Sequence, residues 1–558
     1  MVIYLMCGII GCISRNAKDL LLFGLERMRY RGYDSCGIGY RQNNLLKTTK
    51  SLKEPRELKV PNLCFGIGHT RWATHGIVSL TNAHPIFSYD NTVIIVHNGI
   101  VENALELSKL YLKDITLATE TDTEILVNMI CLFSQKYTII EAISKVLGLI
   151  KGTNAFLLIF KDSDDIYYAS KEMNLIYSYN DEEFVIASDA LALPQKFQSY
   201  YYLPKTTCGR LSNVGNLKNN LIYPNTLNES KTSQDYLFKE INDAPEAISI
   251  VYKNFLASKQ IKEILNYKSI TFIASGSSYN ASLLAAYFLT KYHNIVTFVK
   301  QSSEFAYGDT TSTELYIFIS QSGQTADTIK AARIIKDKKK ILTITNNKKS
   351  TLATMGSYHF DLALGEEVSV ASTKAYLASV YLFYLLATDS IKHSLVVSSV
   401  ERVLKSEEPK KLASCLRNDD YLILLAKNIS YYISQEAMLK LKELCYLHVD
   451  TYYAGELKHG PLALCTQNVK IILLNLDENT NLISRNNLKE AQSRKATTYI
   501  LSSANSFQTN DYYLFSLNND EAIFEAICFY QLLAYYLAKI KNNNPDRPRN
   551  LAKSVTVE

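Results

Sequence analysis

The feature that most restricts the fold is a rhythm that begins near residue 269. The segments SITFIASGSS, LYIFISQSGQTADT and KILTITNN each hold a run of four to six apolar residues and end in small polar ones. Helical stretches such as ASLLAAYFLTKY and TADTIKAARIIK follow them. A continuously apolar run suits a strand buried on both faces, and an intervening helix is the crossover that parallel neighbours need. The alternation predicts a parallel sheet with helices on its faces. It returns more weakly in DYLILLAKNISYYISQEAMLKLKELCYL, VKIILLNL and TTYILSS. Two copies of one α/β unit are expected, over 246–400 and 410–542.

Ahead of them the pattern is different. Between Cys7 and about residue 220, CGIIGCI, CFGIGHTRWA, NTVIIVHNGI, NAFLLIF, DDIYYAS and FVIASD read as strands. DLLLFGLERMRY and TDTEILVNMICLFSQ are apolar at three- and four-residue spacing and read as helices. Strands buried on both faces with helices outside predict a layered sandwich. Residues 221–245 are polar and Asn-rich, a linker; 543–558 have two prolines and no periodicity, a tail.

Composition removes several classes of function. A chain of 558 residues needs more than one core. Its net charge of +6 is small for that length, and no Lys/Arg block carries interleaved aromatics, so nucleic acid is not an expected partner. Ten cysteines without a CxxC pair argue for free thiols and against zinc, hence for a reducing cytoplasm. The opening MVIYL lacks a basic n-region and a cleavage pattern, and no later stretch reads as long enough to cross a bilayer.

Several clusters carry possible chemistry. In SQSGQT, at Ser320 to Thr325, small hydroxyl residues and a glycine sit where a strand turns into a helix. Backbone N–H groups and the helix dipole there suit an anion, with capping as the plain alternative. A second loop of this kind, Ser275 to Ser278, ends the preceding strand, which makes a shared crevice the expected ligand position. GHTRWATHG places His69, Arg71, the only tryptophan (Trp72) and His75 within nine residues. Arg71 would repel a cation and suits a carboxylate. Asn98-Gly99 reads either as a hairpin turn or as an oxyanion site made from an amide and a backbone N–H. ETDTE, which includes Asp122, reads first as a helix cap. Glu436, Lys440 and Glu443 fall on one helix face, which by itself reads as a solvated salt-bridge stripe.

Taken in order, CGIIG, RYRGYDSCG, HTRWATHG, NAHP, VHNGI, ETDTE, SQSGQTADT, VASTKA, LKLKE, AGELKHGPLAL and the closing PRNLAKSVTVE resemble the glucosamine-6-phosphate synthase family. The resemblance spans nearly the whole chain. It implies an N-terminal-nucleophile αββα sandwich that hydrolyses glutamine, followed by two parallel-sheet sugar-isomerase (SIS) domains. It also implies glutamine and fructose 6-phosphate as substrates, no cofactor or metal, and no membrane. Cys7 would attack the glutamine amide with its own α-amine as general base. Asn98 and Gly99 would hold the oxyanion, Arg71 the glutamine carboxylate and Asp122 its amino group. Trp72, Thr74 and His75 would complete that side, Trp72 gating an ammonia channel. The resemblance assigns phosphate to Ser320, Gln321, Ser322 and Thr325, and the sugar to Ser278, Ser372 and Ala552. Lys553 would form a Schiff base with the open ketose. Glu443, with Lys440, would move the proton between C1 and C2. His459 would open the ring from a neighbouring subunit, implying a homodimer. A free amine on Cys7 also implies that Met1 to Met6 are absent from the working protein, with translation starting at Met6.

The chain departs from the family pattern in three places. Ser275-Gly276-Ser277-Ser278 replaces the usual Cys-Gly-Thr-Ser loop, LLAKNIS stands where a glycine-containing loop is usual, and the linker is short. An amidophosphoribosyltransferase would share the nucleophile start but should carry an acidic diphosphate loop. A non-catalytic sugar-phosphate sensor would lack Cys7, Arg71, Glu443 and Lys553 as a set.

Overall fold

The computed structural model describes residues 7–29, 32, 34–71, 77–180, 182–217, 223–224, 235–308, 311–388, 392–551 and 553. Two units divide the chain, Met1–Lys231 and Thr232–Glu558.

In the first unit two antiparallel sheets of eight and five strands form the inner layers. The first has Gly8–Ile13 beside Phe65–Arg71, and the second has Val93–Gly99 beside Asn154–Phe160. Successive side chains along a strand point to opposite faces, and the apolar runs use both. Ile9 and Ile94 meet between the sheets. Ile10 packs outward beneath helix Ala17–Arg27, and Ile95 beneath helices Asp122–Ser134 and Ile139–Leu149. The order helix, sheet, sheet, helix is the expected αββα sandwich.

The second unit holds two five-stranded parallel sheets with the same strand order. In the first, Ser269–Ala274 lies between Val296–Gln301 and Leu315–Ser320. The chain therefore reverses its direction across the sheet between 269–274 and 315–320. The matching strands in the second are Tyr421–Ala426, His448–Tyr453 and Lys470–Asn475. Helices Gly276–His293 and Ile429–Cys445 pack together and join the copies in one apolar core.

Two expectations change here. Helix Tyr236–Asn242 begins inside the segment read as linker, because Leu237 and Ile241, one turn apart, are buried in the apolar core of the second unit. Helix Ile523–Ile540 is long and apolar enough to cross a bilayer, contrary to the sequence reading, and 83% of its apolar window is buried inside the protein. Its composition is that of a helix surrounded by other helices.

Candidate functional site

Cys7 is buried at the head of strand Gly8–Ile13. The Gly8 N–H donates to Thr70 Oγ1 at 3.0 Å and the Ile9 N–H to Ser188 Oγ at 3.1 Å, which pins the strand end. The Asn98 amide donates to the Cys7 carbonyl at 2.8 Å, so the amide and Cys7 are neighbours. Asn98-Gly99 is not a hairpin turn: it ends strand Val93–Gly99 and pairs with Ala155 and Asn154. Gly99 has φ +127°, where a side chain is strained. Asp122 is not a cap either. Its carboxylate accepts the Val101 N–H at 2.8 Å, just beyond Gly99, while Thr121 holds the N-cap position. Arg71 ends its strand buried, 3% exposed, near Cys7 and the carboxylates of Asp34 and Asp122. Trp72, Thr74 and His75 lie outside the described residues.

A histidine network that the sequence reading did not foresee backs this strand. Thr123 Oγ1 lies 2.9 Å from both His84 Nε2 and His97 Nδ1, and His97 Nε2 lies 2.8 Å from Asn154 Oδ1. His69 Nε2 bonds the His97 carbonyl at 3.0 Å. Burial pushes all three rings down, His69 to about 3, so they are neutral at pH 7.

In the isomerase unit, SGSS and SQSGQT leave the carboxyl ends of strands 269–274 and 315–320, on either side of the point where chain direction reverses. In an open α/β sheet that is where ligands bind. Ser320 Oγ and Thr325 Oγ1 are 3.0 Å apart, and Ser320 Oγ accepts the Gly323 N–H at 3.1 Å. Ser322 Oγ accepts the Gln324 N–H at 3.1 Å. Thr325 is the N-cap of helix Ala326–Ile334, yet its side chain makes no capping bond. The hydroxyls are thus clustered at a helix N-terminus, with Gln321 at the turn, and an anion fits there. Gly323, at φ +63°, lies against the Ser350 side chain with no space for a Cβ. Ser278 is half-buried in the first turn of helix Gly276–His293.

The stripe Glu436, Lys440 and Glu443 is not a solvated face. Glu436 and Lys440 are fully buried on helix Ile429–Cys445. Lys440 Nζ lies 2.5 Å from Glu443 and 3.6 Å from Glu436. Glu436 accepts from Ser277 Oγ and Asn280 Nδ2, both at 2.7 Å, and so reaches the first copy's loop from the second copy's helix. Burial acts to lower the Lys440 pKa, but the two carboxylates outweigh it and hold the ammonium above its ordinary value. Glu443 remains partly open, its side chain 21% exposed.

The tail lysine is not solvated. Lys553 has a side chain 6% exposed and donates to Glu367, a residue the sequence reading missed, at 2.7 Å. Glu367 also accepts the Thr373 N–H at 2.9 Å and the Ser372 hydroxyl at 3.3 Å. Burial acts to raise the Glu367 pKa, and Lys553 with these N–H groups holds it below its usual value. His459 ends a 3-10 segment, Ala454–His459, and is exposed, with no hydrogen bond or ion pair to Lys440, Glu443 or Lys553. Ala552 lies outside the described residues. Among the described residues no group of three His, Cys, Asp or Glu is placed to hold a metal.

Comparison with known proteins matches a SIS domain at residues 263–389 and 415–539, and a glutamine amidotransferase domain at 69–195. A glutamine–fructose-6-phosphate aminotransferase (isomerizing) of Oceanobacillus iheyensis is 34% identical over 610 residues, covering 99% of this chain and all of that one. The protein of that name from Geobacillus kaustophilus is 34% identical over 613 residues with the same coverage. A solved C-terminal domain of glucosamine-fructose-6-phosphate aminotransferase from Francisella tularensis covers 57% of this chain and all of that one. Its identity is 27% and its TM-score 0.51.

Proposed function

The chain belongs to the isomerising glutamine–fructose-6-phosphate aminotransferases, and from that premise we propose which of its residues carry each step. The enzyme converts fructose 6-phosphate and glutamine to glucosamine 6-phosphate and glutamate. Residues 7–220 release ammonia. The Cys7 thiol gives its proton to the chain's own α-amine and attacks the glutamine amide carbon. Negative charge then builds on the amide oxygen, where the Asn98 side chain and the Gly99 N–H receive it. Arg71 and Asp122 hold the two charged ends of glutamine, with Trp72, Thr74 and His75 closing the site. Ammonia has to reach the sugar without meeting bulk water, since its protonated form is no nucleophile; Trp72 guards that passage.

Residues 246–400 and 410–542, with the tail 543–558, carry the sugar chemistry. Ser320, Gln321, Ser322 and Thr325 take the phosphate; Ser278, Ser372 and Ala552 line the sugar. Lys553 forms an imine at C2 of the open ketose with loss of water, and ammonia then adds to C2 and displaces the lysine amine, leaving the ammonia nitrogen on the sugar as the C2 imine. Glu443, oriented by Lys440, takes a proton from C1 and returns one to C2. The observation that carries this reading is the Lys553 amine, held indoors by Glu367 next to Ser372 although its sequence context is a polar tail. His459, exposed in its own subunit, is offered to the sugar of a second one, which makes the enzyme a homodimer. The cytoplasm is the compartment assigned, in keeping with ten free cysteines. The test is an assay of the purified protein with both substrates, scoring glutamate and glucosamine 6-phosphate together. Glutamate without amino sugar would refute the sugar-side assignments.

A further inference from the structure

Glu240 lies in helix Tyr236–Asn242 and is 3% exposed. Its carboxylate takes three donors from one short segment. These are the Val368 N–H, the Ser369 N–H at 3.2 Å and the Ser369 hydroxyl. The same segment continues into Glu367, which holds Lys553, and Ser372, which leans on Glu367. The helix is tied to the tail as well. Asp546 accepts the N–H groups of Tyr236 and Leu237 at 3.1 and 2.7 Å, and its own carbonyl accepts the Val370 N–H at 3.0 Å. Helix, sugar loop and tail therefore close a ring of hydrogen bonds, in which Glu240 binds the loop through a side chain on the helix.

We propose that Glu240 is a positioning residue for imine formation: it fixes the 367–373 loop so that Glu367 presents the Lys553 amine to the ketose carbonyl and Ser372 meets the same sugar. The proposal rests on the assignment of Lys553 made above. Two carboxylates, Glu240 and Glu367, flank one cation, Lys553, with the Lys374–Asp243 pair a turn away. Burial and then Glu367 push the Glu240 carboxyl up to about 7. A neutral group is thus compatible with the place, and the hydrogen bonds matter more than the charge.

The experiment uses the full chain with fructose 6-phosphate and borohydride, followed by peptide mass analysis of the Lys553 adduct and by steady-state kinetics. Glu240→Ala should cut adduct formation roughly 10- to 100-fold, the cost of about an ångström of misplacement. The loss should fall mainly on kcat, because the phosphate loop is untouched. Glu240→Gln should trap within about twofold of the wild type, since its amide oxygen can accept the Val368 and Ser369 N–H groups while its NH2 donates to the Ser369 hydroxyl, which can turn its own proton to the Ala371 carbonyl 3.2 Å away. Glutamine hydrolysis should be unchanged in both. Trapping by Glu240→Ala at the wild-type level would overturn the inference and leave the Lys553 assignment standing. Failure of Glu240→Gln to restore trapping would overturn it too. Wild-type protein that traps no adduct on Lys553 would overturn both. If Glu240→Ala does not fold, Ser369→Ala, which removes one donor, decides: normal trapping in that variant refutes the role.

Discussion

Gly99→Ala is the sharpest perturbation of the glutamine side. An added Cβ at residue 99 would lie 2.9 Å from the Asn154 Cα and closer still to the Thr153 carbonyl, where ordinary contact begins at 3.4 Å. Both are backbone atoms, so no side chain can swing aside. The strand end must move by 3.4 minus 2.9, or 0.5 Å, to clear Asn154 alone, and further to clear Thr153. Holding alanine at φ +127° adds roughly 1–3 kcal/mol of backbone strain. A donor displaced by that much leaves the oxyanion, and loss of one such donor costs about 10²–10³ in kcat. Glutamine hydrolysis should therefore fall by about that factor, while borohydride trapping at Lys553 stays normal. Gly148→Ala is the matched control. It lies in helix Ile139–Leu149 with nothing within 4 Å of a new Cβ, so stability should rise by about 0.5–1 kcal/mol with activity unchanged. If Gly99→Ala hydrolyses glutamine within about threefold of the wild type, Gly99 is not an oxyanion donor of the size argued.

Lys553→Met should abolish glucosamine 6-phosphate formation and spare glutamine hydrolysis; product at near the wild-type rate in a coupled assay would end the imine assignment. Lys440→Met strips Glu436 and Glu443 of their shared cation, so thermal unfolding should show a loss of about 3–5 kcal/mol, and an unchanged midpoint would return the stripe to a minor role. His69, His84 and His97 have folded pKa values below the ordinary 6.5, so their stabilisation is complete above that pH and is lost as pH falls below it, for His69 down to about 3. Opening free energies from amide exchange in strand Phe65–Arg71, which carries His69, should drop by about 2 kcal/mol at pH 5, and a flat profile over that range would contradict it. Protein that verifiably retains Met1 to Met6 should not hydrolyse glutamine, because a peptide bond removes the amine that serves as base; full activity in an intact-mass-checked sample would exclude that base.

The parts of the fold that announced themselves are those where a local pattern suffices. Strand Leu315–Ser320 is six apolar or small residues in a row, buried throughout, and helix Asp122–Ser134 repeats at helical spacing. Edge strands such as Leu45–Ser51 and His448–Tyr453 went unread because they are half-exposed and polar, so neither apolar run nor clean alternation marks them. Of the candidate site residues, Cys7 was legible only as a member of ordered motifs, whereas Arg71 and Asn98 also carried a local reading, as a carboxylate partner and as part of a turn or oxyanion pair. The burial of Glu436 and Lys440 was not legible, because their covering partners Ser277 and Asn280 belong to another strand–helix unit over 150 residues away in sequence. Glu367 and Glu240 escaped for the same reason: their partners are 186 and 128 positions distant. Spacing along one helix reports which side chains share a face and says nothing of what covers that face.

The two isomerase copies show how one backbone plan separates into a ligand site and its support. Two residues past strand Ser269–Ala274 stands Gly276, at φ +57°. Two residues past Tyr421–Ala426 stands Asn428, at φ +53°, so the LLAKNIS loop keeps the turn without the glycine. Asn is the side chain that best tolerates positive φ, and here its amide is spent on Asp477 at 2.8 Å. The position of Asp477 matters most. Counted from the last residue of each matching strand, Ser320 and Asn475, it occupies the place of Ser322 in the first copy. A hydroxyl there can donate to a phosphate. A carboxylate that is 9% exposed and already accepting from Asn428 and Asn479 repels one. Exchanging one serine for one aspartate thus closes the second crevice to anions while preserving the loop. That copy instead contributes helix Ile429–Cys445, whose Glu436 crosses to Ser277 and Asn280 and whose Lys440 pairs with both Glu436 and Glu443. On the roles proposed above, the duplication yields one sugar site with two different walls, one to hold the phosphate and one to move the proton.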